Sequence, residues 1–329
     1  MQLCSLDLRG CVHISGRLIA DIFFDCPFLS SLSIDASHMT PTLMNCLITR
    51  ASSLHSLEVS PYSNTVDLSM IHKWKELLES AVRLKSLAFG GLNLSDALYA
   101  AVQCCTILDS LYVSNMRLHI DIFHALCENC VYLHSLHLSS CFGGCSELWR
   151  VLRHCNALET LHINDCGYVN IIPLNDCHQA DRLETLMIHD CQLITPMDSL
   201  ALVCPNLHVL ELSGTKLSLE TFTAMSFLTQ LRSLTLSCTN INNAQLRQIS
   251  MQCTMLSTLT LQSCEDISES ALSVIASYLP HLKSVNVSQV QRISNEDILS
   301  LTQRSIELEV SGYLFSCVLT ASVHQCECN

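Results

Sequence analysis

Aromatic residues are scarce in this chain. Phe, Trp and Tyr make up 5% of its 329 residues, although 49% are hydrophobic. The core must therefore be assembled from Leu, Ile, Val, Met and Cys, which suits thin stacked layers with little room for rings. Positive charge is scarce as well. The 17 Lys and Arg stand against 30 Asp and Glu, a net charge of −13, and no basic cluster interrupts that balance. A reader of phosphate backbones needs such a cluster, so nucleic acid is not an expected partner. There are only 9 glycines, and no Gly-rich phosphate loop, nucleophile elbow or H-E-x-x-H pair, so an enzyme is not expected. No segment approaches the roughly 18 uncharged apolar residues of a membrane span. In the opening MQLCSLDLRGCVHISGRLIA, Asp7 and Arg9 fall where a secretory signal requires an unbroken apolar stretch. The expected location is the cytoplasm or nucleus, with no membrane partner.

What the chain does contain is a phrase, L-x-x-[LV]-x-[LIVF], repeated twelve times. Its opening leucines are Leu3, Leu29, Leu54, Leu84, Leu108, Leu133, Leu158, Leu183, Leu207, Leu231, Leu256 and Leu282, and the intervals are 24–26 residues except for one of 30. A fixed period of this size marks one supersecondary unit stacked on copies of itself. In L-H-S-L-H-L-S-S-C from Leu133, Leu136 and Leu138 alternate with polar residues, the period of two of a half-buried strand. Apolar residues at helical spacing follow. Capping residues open this second segment in many repeats: Ser15, Thr40 before Pro41, Ser95, Thr195 before Pro196, Ser218, Asn242, Ser268 and Ser294. Ser294 with Asp297 approximates a capping box. The expected fold is α/β: a right-handed leucine-rich-repeat solenoid, or horseshoe, of 12–13 repeats over residues 1–313, with a parallel sheet on the concave side and helices on the convex side. Residues 314–329 read as a tail.

The 21 cysteines follow the repeat rather than a disulfide framework. Cys26, Cys105, Cys130, Cys155, Cys204 and Cys253 lie three residues before an opening leucine, and Cys11, Cys141, Cys166, Cys191 and Cys264 eight after one. Such phasing treats cysteine as a small buried hydrophobe, and the odd total agrees with a reducing compartment. The resulting phrase, C-x-x-L-x-x-L-x-L-x-x-C followed by an Ile-Ser or Ile-Thr helix start, is clearest at Cys130–Cys141, Cys155–Cys166 and Cys253–Ile267. It resembles the cysteine-containing subfamily of leucine-rich repeats, best known from F-box/leucine-rich-repeat proteins, over roughly residues 1–311. That resemblance implies substrate recognition for a cullin-RING (SCF-type) ubiquitin ligase. It departs in one respect: an F-box is a helical module placed before the repeats, and here the first repeat begins at Leu3. The expectations are a truncated product whose F-box, if encoded upstream, recruits the ligase subunits, or a repeat-only relative acting as a ligase-independent scaffold of the cytoskeletal or ciliary type.

Two repeats are irregular. The 30-residue interval contains SPYSNTVDLSMIHKWKELLES, expected to form a loop and then a longer helix from near Asp67 or Ser69. GYVNIIPLNDCHQADR, with Pro173, argues against a full helix in the seventh repeat.

The third, fifth and seventh residues of each phrase should point to the concave side. The third is a nearly uniform row of Ser and Thr, broken by Val209, and reads as structural. The fifth runs Asp7, Ser33, Glu58, Ala88, Tyr112, His137, His162, Met187, Glu211, Thr235, Thr260, Asn286. Four successive large residues, Tyr112, His137, His162 and Met187, bordered by Asn164 and His189 at seventh positions, form the candidate partner-binding patch, because large side chains on a small-polar surface are what an interface core looks like. A metal site is not expected. His137, His162 and His189 lack a carboxylate to orient them; Cys127–Cys130 is half a zinc pair without its other half; His324, Cys326 and Cys328 lack a fourth ligand. No cofactor is implied.

Overall fold

The computed structural model of the protein describes residues 2–60, 66, 68–171, 180–193, 195–294, 297 and 309–311. The tail at 314–329 and residues 172–179 of the Pro173 segment lie outside them. The chain divides into two compact units, Met1–Ile171 and Ile172–Asn329.

The first unit is built on strands β1 (Ser5–Asp7), β2 (Ser31–Ile34), β3 (Ser56–Val59), β4 (Ser86–Gly90), β5 (Ser110–Ser114), β7 (Ser135–Ser139) and β9 (Thr160–Val169), all parallel and adjacent in that order. The short strands β6 (Arg117–Leu118) and β8 (Phe142–Gly143) pair with each other. Register follows the repeat: Leu32, Leu57, Leu87, Leu111, Leu136 and Leu161 stand opposite one another on successive strands, and each is buried. A fully buried leucine stabilises by about 1.5–3 kcal/mol relative to exposure, so a one-residue slip, which would turn the whole row to water, is strongly disfavoured. The alternate residues make an open face. Helices α1 (Gly16–Asp25), α2 (Pro41–Thr49), α3 (Leu68–Ser80), α4 (Ser95–Cys104), α5 (Ile120–Asn129) and α6 (Leu148–His154) return the chain between strands. The long interval does become a longer helix, the 13-residue α3, whose buried Trp74 stacks on Phe89 at 5.3 Å.

The second unit repeats the plan with β10 (Thr185–Leu193), β11 (Val209–Ser213), β12 (Ser233–Thr235), β13 (Thr258–Thr260), β14 (Ser284–Asn286) and β15 (Glu309–Ser311), again parallel and in order. Its helices are α7 (Leu200–Val203), α8 (Leu219–Met225), α9 (Asn243–Gln252) and α10 (Ser270–Tyr278).

The caps hold in part. Ser15, Thr40, Ser218 and Asn242 each accept a backbone N–H of the first turn, and Asn242 forms a full capping box with Gln245. Ser294 and Asp297 bond reciprocally. Three do not cap. Ser95 is the first helical residue, and its hydroxyl donates to the Arg117 carbonyl of the next repeat. Thr195 precedes no helix, since α7 begins only at Leu200. Ser268 accepts from Asn243, and α10 starts two residues later.

The cysteines are core, with one correction: Cys11 is exposed, whereas the other ten in phase are buried. Their thiols also have work in the fold, because those before the strand reach back to carbonyls ending the previous repeat's helix. Cys105 donates to the Ala81 carbonyl at 3.3 Å, Cys130 to Val102 at 3.5 Å, and Cys253 to both Met225 and Leu228 at 3.4 Å. The Ala81, Met225 and Leu228 carbonyls also accept a backbone N–H from the following turn, and the thiol adds a weak second donor that alanine or valine would not supply. Burial pushes the Cys105, Cys130, Cys204 and Cys253 thiols up to about 12, which keeps them protonated and unreactive near neutrality.

A second periodic device sits seven residues after the opening leucine. Asn115, Ser140 and Asp165 in the first unit, and Asp190, Cys238, Ser263 and Gln289 in the second, all have φ between 49° and 63°; Gly10 and Gly214 occupy the same phase at 77° and 65°. A left-handed residue here turns the chain off the strand so that the next residue points inward.

Candidate functional site

In the first unit the open face grades from ionic to aromatic along the fifth position. At the β1–β3 end Arg9 bridges Asp7 and Glu58, each at 2.7 Å, and Ser33 donates to Glu58 at 3.2 Å. After Ala88 the row becomes Tyr112, His137 and His162, opposite one another on β5, β7 and β9. Their rings touch in series. Tyr112 and His137 lie 6.1 Å apart between centroids, and His137 and His162 meet edge-on at 5.3 Å. The two histidine Nδ1 atoms are 3.3 Å apart, so one ring donates to the other, while His137 Nε2 bonds the Ser135 hydroxyl at 2.9 Å. Half burial pushes the His137 pKa down, favouring the neutral ring. Tyr112 is 38% exposed. Asn164 borders the row, its amide reaching the Ser139 hydroxyl at 3.4 Å. Small neighbours such as Ser110, Ser135 and Thr160 leave the rings standing above their surroundings.

Met187 and His189 lie on β10 of the second unit. Here the sequence reading needs correction: a carboxylate does face one of the histidines. Glu211 on β11 is opposite Met187, and its Oε2 lies 3.1 Å from His189 Nε2, a diagonal cross-strand contact. This pair is an ion-pair or hydrogen-bond element of the face. Among the described residues no group of three or more His, Cys, Asp or Glu is arranged to hold a metal, and His324, Cys326 and Cys328 lie outside them. Cys130 of the half zinc pair is occupied with the Val102 carbonyl. No helix of the described residues is long and apolar enough to cross a membrane.

The sequence reading missed a rim beside the row. Phe142 and Tyr168 are 46% and 68% exposed where the chain leaves β7 and within β9, and Phe142 pairs in register with the exposed Arg117. Ser140 bonds Asp165 at 3.1 Å along the same rim. Their signal was present: aromatics one residue after the phased Cys141 and two after Cys166, in a chain that spends few aromatics anywhere.

The comparisons with known proteins agree with this architecture. The family model described as "At1g61320/AtMIF1, LRR domain" matches residues 105–303, more than half of the chain. A comparison with curated protein sequences returns no significant match. Among solved structures, the chain resembles one from the yeast Rad7 and Elc1 complex, at 17% identity and a TM-score of 0.63 over 94% of this chain and 81% of that one. It also resembles an internalin from Listeria monocytogenes (18%, TM-score 0.53, covering 78% and 74%) and a leucine-rich-repeat protein of Leptospira interrogans (16%, TM-score 0.53, covering 94% and 77%). At these identities the likeness is one of fold. The fold is that of a leucine-rich-repeat interaction domain, and the chain belongs to the At1g61320/AtMIF1 leucine-rich-repeat family.

Proposed function

We propose that this chain is a non-catalytic recognition module that captures a protein through the Tyr112–His137–His162 array and presents it for SCF-type ubiquitin-dependent degradation. The array itself carries the reading: three rings in contact on three in-register strands, in a chain with 5% aromatics. Interface energy concentrates in a few such side chains set among near-neutral contacts. Asn164 and the rim residues Phe142 and Tyr168 extend the surface, and on the second unit Met187 and His189 are taken as partner contacts in their own right. The degradation role draws on the likeness of the cysteine-phased repeats to F-box/leucine-rich-repeat proteins, and on Rad7, a chain of this fold found in complex with Elc1. Ligase subunits are partners where an F-box accompanies the repeats. The module acts without metal, cofactor, nucleic acid or membrane, in the cytoplasm or nucleus where its many thiols stay reduced.

A second reading, a ligase-independent scaffold using the same array, is favoured by the occurrence of the fold in the two bacterial proteins. One experiment separates them. A photo-crosslinking phenylalanine analogue is placed at Tyr112 and the chain is expressed in eukaryotic cells with and without proteasome inhibition. The degradation reading expects a discrete crosslinked protein that accumulates under inhibition and disappears in H137S/H162S. Equal recovery with and without inhibitor selects the scaffold. A crosslink that survives H137S/H162S refutes the array as the binding site.

A further inference from the structure

The helix side of the second unit carries an apolar groove that the repeat pattern does not call for. α7 is a single turn of four residues, where α9 and α10 run to ten and nine. Its shortness uncovers one flank of α8, and a cavity of about 610 Å³ opens there, lined among others by Asp198, Leu202, Leu219, Glu220, Thr223 and Phe227. Three large apolar side chains in it face water: Leu202 is 66% exposed, Leu219 62% and Phe227 67%. Leu219 and Thr223 lie one turn apart on α8, Phe227 follows two residues after the helix ends, and Leu202 stands on the α7 wall. The two carboxylates, Asp198 just before α7 and Glu220 in the first turn of α8, lie toward the same end of their helices, whereas Leu202 and Phe227 come later along the chain. The two carboxylates therefore sit at one end of the groove beside Leu219, and Leu202 and Phe227 carry its apolar surface onward.

We infer that this groove is a docking site for a cationic amphipathic helix of a partner protein, with Lys or Arg seated at Asp198 and Glu220 and an apolar stripe packed on Leu219 beside them and on Leu202 and Phe227 farther along. The open, two-walled form suits the helix-in-groove mode of recognition. Charge complementarity selects the sign. Among the described residues neither Asp198 nor Glu220 has an ion-pair partner. The net charge of −13 steers cations toward the surface. The groove lies on the helix side and is independent of the ring array.

The test uses the full chain and two labelled alanine-based helical peptides of about four turns, each with leucines at i, i+3, i+4 and i+7. One carries two arginines in its first turn, the other two glutamates. Fluorescence anisotropy should show the arginine peptide binding at least about tenfold more tightly, a difference of about 1.4 kcal/mol. L202S/F227S should weaken it by at least about fivefold at an unchanged unfolding midpoint. D198K/E220K should reverse the preference between the peptides, whereas E265K/D266K, an equal charge change elsewhere, should leave it intact. The proposal is overturned if the wild-type protein binds both peptides alike, a comparison that needs no variant, or if E265K/D266K reverses the preference as fully as D198K/E220K. A wild-type dimer that L202S/F227S converts to monomer would assign the groove to a second copy of this chain and overturn it too.

Discussion

Acid should loosen the first unit through the histidine pair, and the structure sets both the sign and the ceiling of the effect. His137 and His162 place their Nδ1 atoms 3.3 Å apart, an arrangement that needs at least one of the two nitrogens to remain an acceptor. Burial pushes the His137 pKa below its ordinary 6.5. A depressed folded-state pKa means that the unfolded chain takes up the proton first. The contribution to stability is therefore whole above pH 6.5 and is lost as pH falls from there toward the folded-state value. One proton taken up by the unfolded chain alone costs at most about 1.4 kcal/mol per pH unit. His137 is only half-buried, so solvent screening should hold the loss between pH 6.5 and 5.5 to less than about 1 kcal/mol. Urea unfolding at pH 7.5, 6.5 and 5.5, followed by the fluorescence of the buried Trp74 in the same unit, measures it. His137→Gln keeps a hydrogen-bonding group without the titration and should flatten the acid limb relative to wild type. The quantity that decides is the difference in slope between H137Q and wild type. Equal slopes, or a steeper one in H137Q, would refute the reasoning.

Two further outcomes follow from packing. Arg50 sends its guanidinium to the carbonyls of Phe23, Cys26, Pro27 and Leu29 and lies over the Phe23 ring at 4.2 Å; Arg50→Met should cost about 2–4 kcal/mol in urea unfolding, and Arg50→Lys should recover less than half, because one ammonium cannot replace a fork. Gly90 abuts the backbone carbonyl of Ser114 on the neighbouring strand, with no room for a Cβ; Gly90→Ala should cost about 1–3 kcal/mol and, by displacing the strand that carries Tyr112, should also weaken crosslinking at the array.

Much of the architecture was legible because one residue type marks one structural role. The twelve opening leucines mark every strand of the parallel ladder up to β14, and the register pairs Leu111, Leu136 and Leu161 across β5, β7 and β9 at the spacing of the phrase itself. Helix starts were less legible, because Ser and Thr are common enough to stand at every junction and a hydroxyl bonds whatever is nearest. Ser95 finds the next repeat's carbonyl and Ser268 finds Asn243, so neither caps. The left-handed position was hidden for a related reason. Gly10, Asn115, Asp165, Asp190 and Gly214 announce it by type, but Ser140, Cys238, Ser263 and Gln289 do not, since the surrounding ladder imposes the turn on residues that would not choose it. At the site, alternation sufficed to bring Tyr112, His137 and His162 together. It could not pair His189 with Glu211, because that contact runs diagonally between strands whereas alternation compares only residues in register.

The two surfaces differ in the physics of their attachment, and ionic strength should tell them apart. The ring array holds no Lys, Arg, Asp or Glu, and burial disfavours the charged form of His137. Binding there rests on apolar and ring contacts, which added salt does not screen. The groove on α7 and α8 has two carboxylates at its acidic end, and the Debye length falls from about 10 Å at 0.1 M salt to about 3 Å at 1 M. A cationic helix seated on Asp198 and Glu220 should therefore lose several-fold in affinity between low and high salt. The partner crosslinked through Tyr112 should be retained through the same washes. If salt strips both ligands in parallel, the array depends on charges around it, and the separation of a neutral recognition face from an acidic docking groove fails.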